Sequence, residues 1–388
     1  MLFNILFISV LLVVFVIVVI DQYSQFYTWQ SRIKIGRFID KKIWIKSIDK
    51  KALQWLKKTP TIKLTDSNRL IIIDILKGNY KRSAIQSWQE AALVLGLSTQ
   101  YERTKDERLK KAIDNYIGSK ITSNGSWKTP IKESDEVILG YALIQISWLS
   151  HDQYKPAYDA LYQLIVQLKG NTSTVSYKKH TQNYRFVDTI GFICPFLIAY
   201  GQKFNVPEAV DLAIIQIEEF NTYGMLNDMF IPCHTYTMNT KLPTGLFGWG
   251  RGLGWYAIGL IDSWNLLEAA HPKKLEMTQW VEKFAKMAMQ FQRSNGSWGW
   301  IIMQDSSRSD SSTTATLAWF LTNAANIVAI QSECDMAKEK AIHYLMKVTR
   351  RDGAIDFSQG DTKAIGVHSQ EFDILPFTQG FALRSACV

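Results

Sequence analysis

The stretch R-F-V-D-T-I-G-F-I-C-P-F-L-I-A-Y-G, residues 185–201, sets one carboxylate at the mouth of an otherwise uncharged segment. Residues 189–200 carry no charge, so a helix there is apolar on every side and must be enclosed by protein. Asp188 falls in its first turn, where free backbone N–H groups and the helix dipole favour an acid. Two roles fit that position, a helix cap and a buried acid poised for proton transfer.

Outward from this stretch, segments of two kinds take turns. One kind is charged and amphipathic: 104–120, 154–168, 207–220, 274–292 and 335–349. Within 104–120, for example, Leu109, Ala112, Ile113, Tyr116 and Ile117 follow the spacing of one apolar helix face. The other kind is nearly uncharged: 137–149, 189–200, 253–270, 314–330 and 375–387. Amphipathic helices belong outside and all-apolar ones inside. Pieces at 52–57, 69–76 and 87–95 continue the alternation less clearly. Turns at Asn124-Gly125, Asn295-Gly296 and Asp352-Gly353 follow outer helices, where such pairs favour positive φ. The unit repeats every roughly fifty to sixty residues, a spacing typical of repeat architectures. The pattern predicts an all-α fold, a closed toroid of inner and outer helices.

Each inner helix also carries its polar residues at its N-terminal end. Asp135, Asp188, Trp249-Gly250-Arg251-Gly252, Asp310-Ser311-Ser312-Thr313, and Gln370 with Glu371 precede or open the five segments. If the inner helices run parallel, these clusters meet at one end of the toroid, where helix dipoles suit anionic ligands.

The N-terminus reads differently. An apolar run begins at Leu2 and ends at Ile20, interrupted only by Asn4 and Ser9, and is long enough to cross a bilayer. No Lys or Arg precedes it and no small-x-small site follows it, which favours an uncleaved anchor over a signal peptide. The net charge of +9 is concentrated just beyond: residues 32–58 hold ten basic residues against Asp40 and Asp49. Such a cluster next to an anchor suits anionic lipid headgroups better than nucleic acid. It leans the globular part towards the cytoplasmic face by the positive-inside rule. The expected organisation is therefore an anchor over 1–21, a basic juxtamembrane segment over 22–58 and a barrel over 59–388.

Cys194, Cys233, Cys334 and Cys387 are scattered without a C-x-x-C pair, so neither a metal site nor a disulfide framework is indicated. Phosphate loops, dinucleotide glycine patterns and H-E-x-x-H are absent, and no cofactor is expected.

Five motifs in register resemble glycoside hydrolase families 88 and 105, the unsaturated glucuronyl and rhamnogalacturonyl hydrolases. They are R-F-V-D-T-I-G-F-I-C-P-F-L at 185–197, W-G-R-G-L-G-W-Y-A at 249–257, N-G-S-W at 295–298, D-S-S-T-T-A-T-L-A at 310–318 and the closing F-T-Q-G-F-A-L. The resemblance implies an (α/α)6 barrel and an acidic oligosaccharide substrate. It also implies an unusual reaction, hydration of a 4,5-unsaturated uronic acid at a non-reducing end. The family's principal acid/base aspartate falls on Asp188 and its second aspartate on Asp135. Its histidine falls on His234, with Tyr236 beside it, its arginine on Arg251 and a lysine on Lys178. Trp249, Trp255 and Trp298 offer flat faces for sugar rings, and Ser312 and Thr313 are candidate substrate contacts. Leu253, Thr237, Ser134 and Phe186 depart from the usual family residues around the pocket, which bears on sugar specificity. Two other functions stay open. One is an inverting glycosidase using Asp135 and Asp188; the other is a tethered, non-catalytic polysaccharide binder.

Overall fold

The computed structural model describes residues 2–60, 66, 70–77, 86–226 and 228–387. The remaining parts of the expected anchor and barrel, Met1 and residues 61–65, 67–69, 78–85, 227 and 388, lie outside the described residues. The first residue of the expected 69–76 helix is among them.

The chain opens with α1 (Leu2–Arg32), followed by α2 (Lys41–Lys57) and the short α3 (Ile71–Leu76). From there inner and outer helices alternate. The inner ones are α4 (Ser87–Thr104), α6 (Val137–Ile144), α8 (Val187–Phe204), α10 (Gly250–Leu266), α12 (Ser311–Ala324) and α14 (Pro376–Ala386). Between them run the outer helices α5 (Glu107–Lys120), α7 (Lys155–Lys169), α9 (Pro207–Tyr223), α11 (Lys274–Gln290) and α13 (Gln331–Lys347). Each inner helix packs on the next, and α14 closes the ring on α4. The uncharged composition has its cause here: α6 and α10 are buried along nearly their whole length, while α5 buries only its Leu109, Ala112, Ile113, Tyr116, Ile117 stripe.

The basic stretch ahead of the barrel contributes the missing outer helix. Asp40 caps α2 by accepting from the Ile43 N–H at 2.9 Å, and Trp44, Ile45, Ile48, Ala52, Trp55 and Leu56 are buried against α4 and α14. Lys42, Lys46, Lys50 and Lys57 occupy the outward side, while Lys51 is buried against Asp352. The Trp44 indole N–H reaches Thr349 Oγ1 at 2.8 Å, tying the first outer helix to the end of the last.

The Gly turns place the outer shell. Gly296 and Gly353 both have φ of +89°, and Gly125 has +81°. A Cβ at Gly125 would strike the Gln153 carbonyl, at Gly296 that of Lys340 and at Gly353 that of Ser47. Each turn is thus pressed onto the next outer element, which only glycine permits at that φ.

The fold departs from an all-helical one in two small sheets. β1 (Tyr184–Phe186), β2 (Met225–Leu226) and β4 (Pro243–Phe247) all pair antiparallel with the central β3 (Ile231–Thr237). β5 (Ser358–Gln359) pairs with β6 (Phe372–Asp373). Both sheets sit in connections that run from an outer helix to the N-terminus of an inner one.

Candidate active site

Asp188 stands at the second position of α8, because the chain leaves β1 and enters the helix at Val187. Phe186 is the N-cap residue, so the capping role expected for Asp188 is not the one it plays. Its carboxylate is only 13% exposed, and Oδ2 has no hydrogen-bond partner. Burial pushes its pKa up to about 7; its own backbone N–H pulls down, nearby Asp361 pushes up, Arg251 pulls down and Asp135 pushes up. Among these opposing influences desolvation dominates, and the acid holds its proton close to neutrality.

Asp135 lies in the single 3-10 turn Ser134–Glu136 that feeds α6. It too is raised to about 7, first by burial, then by Glu133, against the pull of Lys178. The Tyr177 hydroxyl donates to Asp135 Oδ2 at 3.4 Å, and its ring stacks on Phe192, one turn beyond Asp188. Tyr177 therefore spans the two acids. Lys178 is engaged by Glu133 Oε2 at 2.7 Å, so its charge sits beside Asp135 within an ion pair.

His234 is on strand β3, at the bulge between Cys233 and Thr235 where pairing with β4 shifts. A bulge re-aims a side chain, and this one turns the imidazole towards Asp188, with Nε2 at 3.7 Å from Oδ2. Burial and the neighbouring His368 lower its pKa to about 3, so the ring is neutral beside the acid. His368, lowered to about 4 by burial and then Arg251, packs at 4.9 Å from Trp249 and 5.6 Å from His234.

Arg251 is in the first turn of α10 and only 3% exposed. One nitrogen, Nη2, donates to the carbonyls of Gln359 and Gly360; Nε and Nη1 are buried without a partner. An arginine left with two free donors is suited to a carboxylate. The distance between α8 and α10 is set by Gly191 and Gly259, where a Cβ would run into the Trp255 and Ile190 backbones. That close approach brings Asp188 and Arg251 to one opening.

The remaining candidates are held by the protein itself. Trp255 is core, packed on Trp88, Phe192 and Phe377, and Trp298 is fully buried with its indole N–H on the Ala288 carbonyl at 2.7 Å. Tyr236 donates to Glu219 of the outer helix α9 at 2.9 Å. Ser312 and Thr313 both donate to Asp310 Oδ2, at 2.7 and 2.5 Å, while Asp310 caps α12. Trp249 is buried, but its rings face His234 and His368, and its N–H holds Gln359 Oε1 at 3.0 Å.

Three residues without a sequence signal complete the arrangement: Tyr177, Asp361 and His368. The last two come from the connection between β5 and β6, ahead of the Gln370 and Glu371 pair. Gln86 holds Asp361 Oδ2 at 2.6 Å, and Ser369 donates to Asp66 at 2.6 Å, which pins that connection over the site.

Solved structures with the same fold are distant in sequence. A possible family 105 member from Salmonella enterica aligns with a TM-score of 0.73 at 16% identity, covering 90% of this chain and 94% of that one. A possible family 105 member from Klebsiella pneumoniae gives 0.75 at 14% identity, covering 90% and 93%. The unsaturated glucuronyl hydrolase of Bacillus sp. GL1, responsible for glycosaminoglycan degradation, gives 0.66 at 14%, covering 92% and 96%. No curated protein matches. The sequence itself fits the model of Glycosyl Hydrolase Family 88 over residues 45–383, from inside the first outer helix to the last inner one, and the chain is a glycoside hydrolase belonging to that family.

Proposed function

We propose that the protein removes a 4,5-unsaturated uronic acid from the non-reducing end of an oligosaccharide by hydrating the double bond, with Asp188 as general acid. The observation that carries this reading is a buried carboxyl with a pKa of about 7 and an unpartnered oxygen, at the same opening as an arginine with two unused donors. Protonating an enol ether at neutral pH requires an acid that keeps its proton there. The Asp188 proton passes to C4, and positive charge develops at C5 and the ring oxygen. Water adds at C5, giving a proton back to a carboxylate, and the hemiketal opens with loss of the rest of the sugar. Asp135, linked through Tyr177, is the second carboxylate near that water. Arg251 takes the uronate carboxylate, and neutral His234 adds no positive charge next to the acid.

The test is to incubate the protein with lyase-generated unsaturated disaccharides and follow the ultraviolet absorbance of the conjugated double bond. Its loss, abolished in Asp188→Asn, is expected. Cleavage of saturated oligosaccharides with the absorbance unchanged would establish the inverting glycosidase instead, and binding without turnover a non-catalytic role.

We also infer that α1 anchors the enzyme in a membrane. Over its most apolar part the mean hydropathy is 3.3 and none of it is buried by protein.

A further inference from the structure

Resting on the reading of α1 as an anchor, a second conclusion concerns which way the catalytic end points. α1 is one unbroken helix to Arg32, although its apolar run stops at Ile20. Both ends of the remaining piece are fixed. At the near end, Asp21 accepts from the backbone N–H groups of Leu70 and Ile71, at 2.7 and 2.8 Å. That bond sets α3 level with the point where the apolar run ends. At the far end, Arg32 forms a two-toothed pair with buried Asp356, at 2.7 and 3.0 Å, and donates to the Phe372 carbonyl. Gly36 N–H then reaches the Thr349 carbonyl at 2.9 Å. Asp356 and Phe372 flank the connection that carries Gln359, Asp361 and His368. The helix is therefore clamped to the rim of the site.

The surface between the two clamps is rich in aromatic side chains, with the exposed Gln22, Gln25 and Gln30 among them. Tyr23, Tyr27 and Trp29 on α1 are exposed, as are Leu70, Ile73 and Leu76 at α3, the last by 82%. Aromatic residues immediately after a spanning segment are the composition of a membrane interface. Lys34 and Arg37, also exposed, follow at once and suit anionic headgroups. Tyr23, Tyr27 and Thr28 also line a cleft of about 620 Å³ shared with Gly360 and Asp361. From Ile20 to Arg32 a helix rises roughly 18 Å at 1.5 Å per residue.

We propose that the barrel rests on the bilayer with its catalytic end towards the membrane. The aromatic part of α1 and the apolar side of α3 lie among anionic lipid headgroups, and the opening beside Asp361 faces the lipid surface. Sugar chains lying along that surface reach the site directly, whereas those in bulk solvent must enter between barrel and bilayer.

The test uses the full chain in vesicles of phosphatidylcholine and phosphatidylglycerol. In a Cys387→Ser background the other native cysteines are buried, so a fluorophore can be placed singly through Val13→Cys, Tyr27→Cys, Leu76→Cys or Val328→Cys. Val328, exposed between α12 and α13, marks the opposite end of the barrel. Circular dichroism checks that each variant is folded. Nitroxide lipids should quench Val13 from the acyl chain, Tyr27 and Leu76 from the headgroup, and Val328 from neither. Quenching at Val13 with Tyr27 and Leu76 unquenched, or with Val328 quenched, overturns the orientation alone. No quenching at Val13 removes the anchor and the orientation with it. Hydration of unsaturated disaccharide by the same vesicles reports on the enzymatic reading separately.

Discussion

The buried set of Arg384 and Asp262 and that of Arg251 and Asp188 differ in their bonding. About three turns beyond Arg251 along α10, Asp262 has one oxygen on the Trp319 indole N–H at 2.8 Å and the other on Arg384 Nη1 at 2.7 Å. Arg384 also donates to Tyr141 and lies 3.8 Å over the Trp319 ring. In that set both charged groups have partners. At the candidate active site Asp188 Oδ2 and two Arg251 nitrogens are buried with nothing to bond. Desolvated polar atoms without partners cost free energy. On the proposed reading, the open set is the one that takes the substrate.

The comparison breaks most sharply at Asp188. Asp188→Asn should lower kcat by about 10² to 10⁴, the scale of a general acid, while leaving the thermal midpoint no lower than wild type. A near wild-type rate in the absorbance assay would remove the distinction. Asp262→Asn should do the reverse: stranding the buried Arg384 costs about 3–5 kcal/mol of stability, read from urea unfolding, while the folded fraction keeps its kcat. Next in size, Arg251→Met should reduce kcat/KM about 10- to 100-fold, since charge-assisted hydrogen bonds contribute roughly 1.5–3 kcal/mol. The loss should fall mainly on KM if the uronate is held equally before and during reaction.

A further effect follows pH and also has a definite sign. Asp188 has a folded pKa of about 7, above the ordinary carboxylate value. The folded state then holds the proton more tightly than the unfolded one. The stability this contributes is complete below about pH 4, declines as pH rises and is gone above about pH 7. Asp188→Asn should match wild type in acid and become the more stable protein above neutrality, measured by urea midpoints across that range. In parallel, wild-type kcat/KM should fall as pH rises through about 7 with loss of the acid form.

The ring of helices was readable because burial on all sides and burial on one side leave different sequence patterns. The uncharged run at 189–200 and the striped run at 104–120 show each in turn. α2 also carries a helical stripe, Trp44, Ile45, Ile48, Ala52, Trp55 and Leu56, but its lysines drew attention to lipid headgroups instead. Strand β3 was hidden by Pro232, which argues against a central strand, and with it the setting of His234. At the site, Asp188 and Asp135 stood out because each opens an apolar helix. Asp361 and His368 did not, since a long connection has no period and only the closed ring brings it over α8 and α10. Trp255 and Trp298 show the converse: an aromatic residue type says nothing of which way its ring faces.

The glycine turns have a consequence for how the chain can be wired. Gly353 seats on Ser47 just as Gly296 seats on Lys340 and Gly125 on Gln153. The last repeat meets the first by the same contact that joins α5 to the segment before α7 and α11 to α13. The join between the chain's two ends is therefore no seam, and a circularly permuted chain cut at Gly125 or Gly296 should be drawn into the same shape.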